Sequence, residues 1–212
     1  TSRYLSSYGI KERRDAINAP RVQVRGVKQE IMLRHMRADE AVRIMYESKY
    51  AHSSNYWKNS IGINKCIDSI GLIGQKQLFE AKIRQWQDTT GYLKGKLDFD
   101  RLAQLYQQRT KLTRLRTIFR ETFLTFDDEV TSRAWRSNWG MKVEGPEDKP
   151  EKQYFQFKDN RKEWDEATDC ELLTTLIRNS RQQVSSDYLP DFYQTIDKQF
   201  RGDYAAYVKA LY

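Results

Sequence analysis

Lys49 to Gly62 reads KYAHSSNYWKNSIG and lies inside a run whose apolar residues recur at helical spacing. A helix built only to pack would fill this stretch with Leu, Ala and Glu, yet two Asn, three Ser, a His and a Trp share it. At 3.6 residues per turn, Ser48, His52, Asn55, Asn59 and Gly62 fall along one side of the helix. Tyr46, Tyr50, Trp57 and Ile61 fall along another. The first side is polar and ends in a residue without a side chain. Two amides one turn apart offer carbonyl oxygens that accept from a small cation, and a glycine lets another chain come close. The same residues also suit a solvated helix surface, so spacing alone leaves both readings open.

Working outward, Ala41, Val42, Met45, Tyr56, Ile63, Ile67 and Ile70 recur at three, four or their multiples, which predicts a buried helix carrying the motif. Asp39 and Glu40 acidify its start. Gly71 and Gly74 bracket an expected break, and Leu78, Phe79, Ile83 and Trp86 predict a helix as far as Gln87. Residues 88–96 read as a loop, followed by a long helical run from Leu97 to Phe126. Leu102, Leu105, Tyr106, Leu112, Leu115, Ile118, Phe119 and Phe123 supply its apolar face. Upstream, Ile10 to Ala19 and Arg21 to His35 read as helices that Pro20 interrupts or kinks.

Downstream, Val130 to Met141 reads as a short helix on which Trp135 and Trp139 pack together. A second loop covers 143–152, with Gly145, Pro146 and Pro150. Helices are then expected over Trp164 to Val184, Tyr188 to Phe200 and Asp203 to Leu211, with Asp187 as a cap ahead of Pro190. No strand is expected beyond the first residues. The fold class is all-α, a bundle of long helices.

Composition agrees with that reading. The 212 residues are long enough for one domain or one large insert, and 39% hydrophobic with 31% charged suits long amphipathic helices with solvated outer faces. Lys and Arg number 37 against 29 Asp and Glu, a net +8 with a pI near 9.4. This balance and the basic run Arg109, Lys111, Arg114, Arg116 and Arg120 motivate an alternative, a basic helical nucleic-acid-binding or scaffold module. Those side chains fall around several sides of their helix, and a solvated face explains them without nucleic acid. Cys66 and Cys170 lie far apart without zinc-ligand spacing and are expected as buried thiols, with a disulfide between helices in an oxidising compartment as the alternative. No apolar stretch is long enough to span a membrane.

Catalytic patterns are missing. Peptidase chemistry through a nucleophile needs an activated Ser or Cys, a base and a group that orients it. The chain has two His, His35 and His52, and no Gly-x-Ser-x-Gly elbow. His52 stands beside Ser53 and Ser54, but neighbours on a helix point about 100° apart and make a poor dyad. No phosphate-cradling loop, dinucleotide fingerprint or zinc HExxH is present, so no cofactor, metal or catalytic residue is expected, and the chain alone is not an enzyme.

Arg37 to Gly62, RADEAVRIMYESKYAHSSNYWKNSIG, resembles the start of the helical domain in the bacterial serine dipeptidyl-peptidase 7 and 11 family. FKDN at Phe157 to Asn160 and DYLPDFYQTIDKQFRGDYAAYVKALY from Asp187 to Tyr212 extend the resemblance. TSRY at Thr1 to Tyr4 resembles the family's exit from its protease barrel. Residues 1–9 are therefore expected as a boundary segment and 10–212 as a helical cap domain. The resemblance implies an insert in a larger chymotrypsin-like double-barrel peptidase, whose His, Asp and Ser lie outside this segment. It further implies a parent enzyme that removes dipeptides from peptides with a free N-terminus, sits in the periplasm or at the cell surface, and forms a homodimer. In the family an Asn of the helical domain helps to hold the substrate's terminal ammonium. The matching motif here is N-x-x-K-N-x-x-G, formed by Asn55, Lys58, Asn59 and Gly62, with Trp57 as a supporting residue. Asn55 is the favoured acceptor, with Asn59 close behind. The preference for hydrophobic or acidic residues before the cut is set outside this segment.

Overall fold

A computed structural model describes residues 5–92, 96–123 and 165–210, and every regular element among them is helical. Helix α1 spans Ser7–Glu12 and runs through a π-helical stretch, Arg13–Asn18, into α2, Ala19–Ala38. Then follow α3, Glu40–Ser69; α4, Leu72–Thr90; α5, Phe99–Phe123; and α6, Glu166–Gln183. A 3-10 turn at Ser186–Tyr188 precedes α7, Phe192–Gln199, and α8, Tyr204–Lys209. The expected helix at 130–141, its two tryptophans, the loop at 143–152 and the FKDN segment lie outside the described residues.

Several boundaries follow from local chemistry. Ser6 caps α1 by accepting from Gly9 N at 3.2 Å, so helix begins at Ser7, inside the stretch expected as a boundary segment. Pro20 does not interrupt the chain as expected. It lacks an N–H, and its ring crowds the carbonyl four residues back, so the helix widens ahead of it and Ala19 N–H donates to Arg14 O, five residues back. Gly71 takes φ 61 and alone makes the break expected of Gly71 and Gly74, because Gly74 lies within α4. Asp187 falls in the 3-10 turn and does not cap α7, which starts later than the spacing suggests. Arg201 and Gly202 turn the chain, and Asp203 then caps α8 by accepting from Ala206 N at 3.0 Å.

The chain divides into two compact units. The first comprises Thr1–Gln23 and Trp57–Thr117. Its buried hydrophobic residues among the described ones are Ile10, Ala16, Ile67 and Phe99, a thin core, and polar bonds join its helices instead. Buried Glu80 accepts from Ser7 N at 2.7 Å and Ser7 Oγ at 2.6 Å. Buried Glu12 accepts from Arg109 at 2.8 Å and Thr113 at 2.9 Å. Asn18 donates to Asn64 Oδ1, and Asn64 donates to the Arg14 carbonyl that the π turn re-aims. α1 packs so closely that a Cβ on Gly9 would lie 3.0 Å from the Tyr106 hydroxyl.

The second unit comprises Val24–Tyr56 and Ile118–Tyr212 and carries two apolar clusters. Ile31, Met32, Met36, Val42, Tyr46 and Leu172 join α2, α3 and α6. Phe123, Leu173, Ile177, Phe192, Tyr193, Ile196, Tyr207 and Val208 join α5 to α8. Burial pushes the Tyr193 phenol up to about 12, and its hydroxyl lies 2.6 Å from Ser180 Oγ and donates to Ile177 O at 2.9 Å. Asp165 caps α6 at Thr168 N, while its own N–H donates to the Tyr46 hydroxyl.

The two cysteines are free. Cys66 is exposed, contrary to the expected pair of buried thiols, because it lies on the outer side of α3. Cys170 is half-buried, and burial, with Asp169, Glu166 and Asp165 nearby, pushes its thiol up to about 11. At pH 8 an aromatic disulfide reagent should therefore label Cys66 quickly and Cys170 slowly. Faster loss of Cys170, followed by mass spectrometry of peptides, would contradict this environment.

Candidate functional site

The middle of α3 separates sharply by side. Ser48, His52, Asn55, Asn59 and Gly62, grouped by helical spacing, are all exposed. Ser53, Ser54 and Ser60 are buried on the opposite side, where the apolar stripe was expected to continue. Tyr56 and Ile70, expected in that stripe, are exposed, while Val42 and Ile67 are buried. Small serine side chains suit a helix side buried against a neighbour, and among the described residues Ser53 Oγ has no hydrogen-bond partner.

Two anchors hold this turn of α3 to α2, each within its own unit. In the first unit, Trp57 Nε1 donates to Val22 O at 3.1 Å, so this tryptophan packs and is not displayed. In the second, Arg25 Nε donates to Glu121 Oε2 at 2.7 Å and Nη1 donates to Ser53 O at 3.4 Å. The Arg25 guanidinium also lies 5.0 Å from the centre of the Tyr56 ring. His52 packs on the same tyrosine, with ring centres 5.3 Å apart. On the exposed side of α3 stand Asn55, whose turn the second unit's anchor holds, and, one helical turn on, Asn59 with Lys58, whose turn the first unit's anchor holds. Both amides are exposed, and among the described residues no hydrogen bond is seen to either.

Asn55, Lys58, Asn59 and Gly62 are exposed, and what holds their helix carries no local mark in the sequence. Arg25 and Glu121 are separated by 96 positions, and no local pattern marks them as a pair. The two serines at positions 53 and 60, seven residues apart, were the available signal, since i, i+7 places them on one side.

Gly62 has nothing within 4 Å of where a Cβ would lie. A glycine inside a helix costs about 0.5–1 kcal/mol relative to alanine. Gly62→Ala should therefore raise the melting midpoint if α3 faces open solvent there. A lower midpoint in the full-length protein would reveal another segment lying against the glycine.

Other chemistry lies elsewhere. A hollow of about 680 Å³ opens between α6 and α8, lined by Asp165, Glu166, Cys170, Glu171, Thr174 and Lys209 among others. Glu171 is held by Arg34 and, at 2.8 Å, by His35 Nε2, which keep its carboxyl below the usual carboxylate range despite opposing desolvation. No group of three potential metal ligands occurs among the described residues, and no helix there is long and apolar enough to cross a membrane.

The whole of residues 1–212 matches the family model of Peptidase S46, and the chain belongs to that family of peptidases. Within it, the chain is similar to dipeptidyl-peptidase 7 of Porphyromonas gingivalis, 35% identical over 216 residues, and to dipeptidyl-peptidase 7 of Porphyromonas endodontalis, 34% over 217. These matches take in 100% and 98% of this chain but only 30% and 26% of those proteins. The Asp/Glu-specific dipeptidyl-peptidase of Porphyromonas gingivalis is 24% identical over 220 residues, again the whole of this chain and 30% of that protein. The crystal structure of Porphyromonas endodontalis DPP11 in complex with the dipeptide Arg-Glu shares the fold, with a TM-score of 0.79 at 22% identity over 99% of this chain and 31% of that one. The chain thus spans under a third of the length of these relatives.

Proposed function

We propose that this chain is the helical cap domain of a serine dipeptidyl-peptidase, covering a cleft in a catalytic double barrel supplied by the rest of the parent protein. The parent releases dipeptides from peptides with a free N-terminus in the periplasm or at the cell surface, and acts as a homodimer. The segment itself contributes no triad residue. Its contribution is to bind the substrate's terminal ammonium, with Asn55 as the first acceptor and Asn59 one turn on. Lys58 and Gly62 lie beside these amides, where Gly62 leaves room for a chain to approach.

The observation that carries this reading is the pair of exposed amides on a helix fixed from behind. An exopeptidase must hold the ammonium at a set distance from its nucleophile, and a desolvated ammonium left short of acceptors costs several kcal/mol. The nucleic-acid alternative has less to stand on. Arg14, Arg34, Arg43, Arg84, Arg109 and Arg181 each hold a carboxylate within the domain, so these six guanidinium groups, Arg109 of the basic run among them, are already engaged.

The test is hydrolysis of a chromogenic dipeptidyl substrate by the full-length protein, with its N-terminus free or acetylated, in the native protein and in Asn55→Ala and Asn59→Ala. Cleavage of the free form only, impaired by one of the substitutions, supports the proposal. Equal cleavage of both forms, or kinetics untouched by either substitution, overturns the ammonium role.

A further inference from the structure

We infer that Arg25 is a positioning residue for Asn55, setting the turn of α3 that presents the amide; this rests on the ammonium role proposed for Asn55. The Arg25 side chain is only 1% exposed, and that of its partner Glu121 only 2%. Burying such a pair has a desolvation cost that an apolar pair of similar volume avoids, so stability alone is a poor account of its presence. The bonds that Arg25 makes point to a second use.

Three of its contacts have distinct jobs. Glu121 holds Nε at 2.7 Å and fixes the guanidinium. Nη1 then reaches Ser53 O, two residues before Asn55, and the guanidinium lies over the ring of Tyr56, one residue after it. At about 100° per residue, Asn55 lies some 200° round the helix from Ser53, so the grip on the Ser53 carbonyl acts from the side away from the displayed amide. Small Ser53 and Ser54, both buried, leave room for Arg25 to reach the α3 backbone. Rotation of the turn would carry the amide sideways, and catalytic geometry is sensitive to displacements of about 1 Å, worth on the order of 100-fold.

Lysine can keep the charge beside Glu121, but it lacks a planar fork that donates in two directions while covering a ring. Arg25→Lys therefore separates positioning from charge balance. Tyr56→Leu removes the ring from the other end of the grip, and Tyr56 is 42% exposed, so the fold tolerates its loss.

The experiment is a double-mutant cycle in the full-length protein, with kcat/KM measured on a free-N-terminus dipeptidyl substrate and folding checked by circular dichroism. Arg25→Lys should lower kcat/KM by about tenfold when Asn55 is present, and by about twofold or less in the Asn55→Ala background. Tyr56→Leu should behave in the same dependent way. A structural role alone would give the same fold-loss in both backgrounds, and that additivity in both cycles overturns the inference while leaving the Asn55 role standing. If Arg25→Lys does not fold, the Tyr56→Leu cycle decides by the same criterion. No effect of Asn55→Ala by itself overturns the ammonium reading and the positioning role with it.

Discussion

Asn55→Ala in the full-length protein is expected to lower kcat/KM for a dipeptidyl substrate with a free N-terminus by about 10- to 100-fold, the span set by one lost hydrogen bond to a charged group. The substitution removes an exposed acceptor and touches no packing, so the melting midpoint should stay within the small range typical of surface changes. An ammonium anchor acts in the ground state as well as during the reaction. The loss should therefore show in KM, and also in kcat if the anchor sets the distance from the terminus to the scissile bond. Asn59→Ala, one turn further along α3, should give the smaller loss. The reverse ranking would move the anchor to Asn59, and unchanged kinetics in both would return the stripe to ordinary solvated surface.

The parts of the fold legible in the sequence were those that local chemistry decides. Periodicity through Val42 and Ile67 placed α3, glycine at a left-handed position ended it at Gly71, and the polar grouping of Asn55 with Asn59 and Gly62 matches the exposed side. What failed was inference about the hidden side. Hydrophobicity suggested that Tyr56 and Ile70 would be buried and gave no reason to bury Ser53 or Ser60, because it does not record how closely two helices approach. Leu105 and Leu112 were likewise expected to face a core, yet both are exposed on α5, while Arg109 on the same helix reaches buried Glu12. The π turn ahead of Pro20 was half-legible: a proline announces a disturbed hydrogen bond, but a kink and a widened turn are both ways to absorb it.

The pair beneath the site should be the most sensitive point of the second unit. Glu121→Ala removes the carboxylate at 2.7 Å from a guanidinium that has almost no access to water, beside Lys28, which is fully buried three residues along α2. Breaking one side of such a pair typically costs about 3–5 kcal/mol, because the remaining charge is left short of its counter-ion in a medium that solvates it poorly. Against a usual domain stability of about 5–15 kcal/mol, that loss should lower the melting midpoint of the full-length protein and expose the unit to limited proteolysis. The joint replacement Arg25→Met with Glu121→Leu removes both charges of this pair, and should recover part of the midpoint while buried Lys28 stays charged beside it. The two variants together separate the need for charge balance from the need for packing. A Glu121→Ala protein as stable as the native one would show that water or another group solvates Arg25 freely. If the joint replacement is stable but remains impaired on substrates with a free N-terminus, then the pair serves the placement of Asn55 more than the stability of the helices.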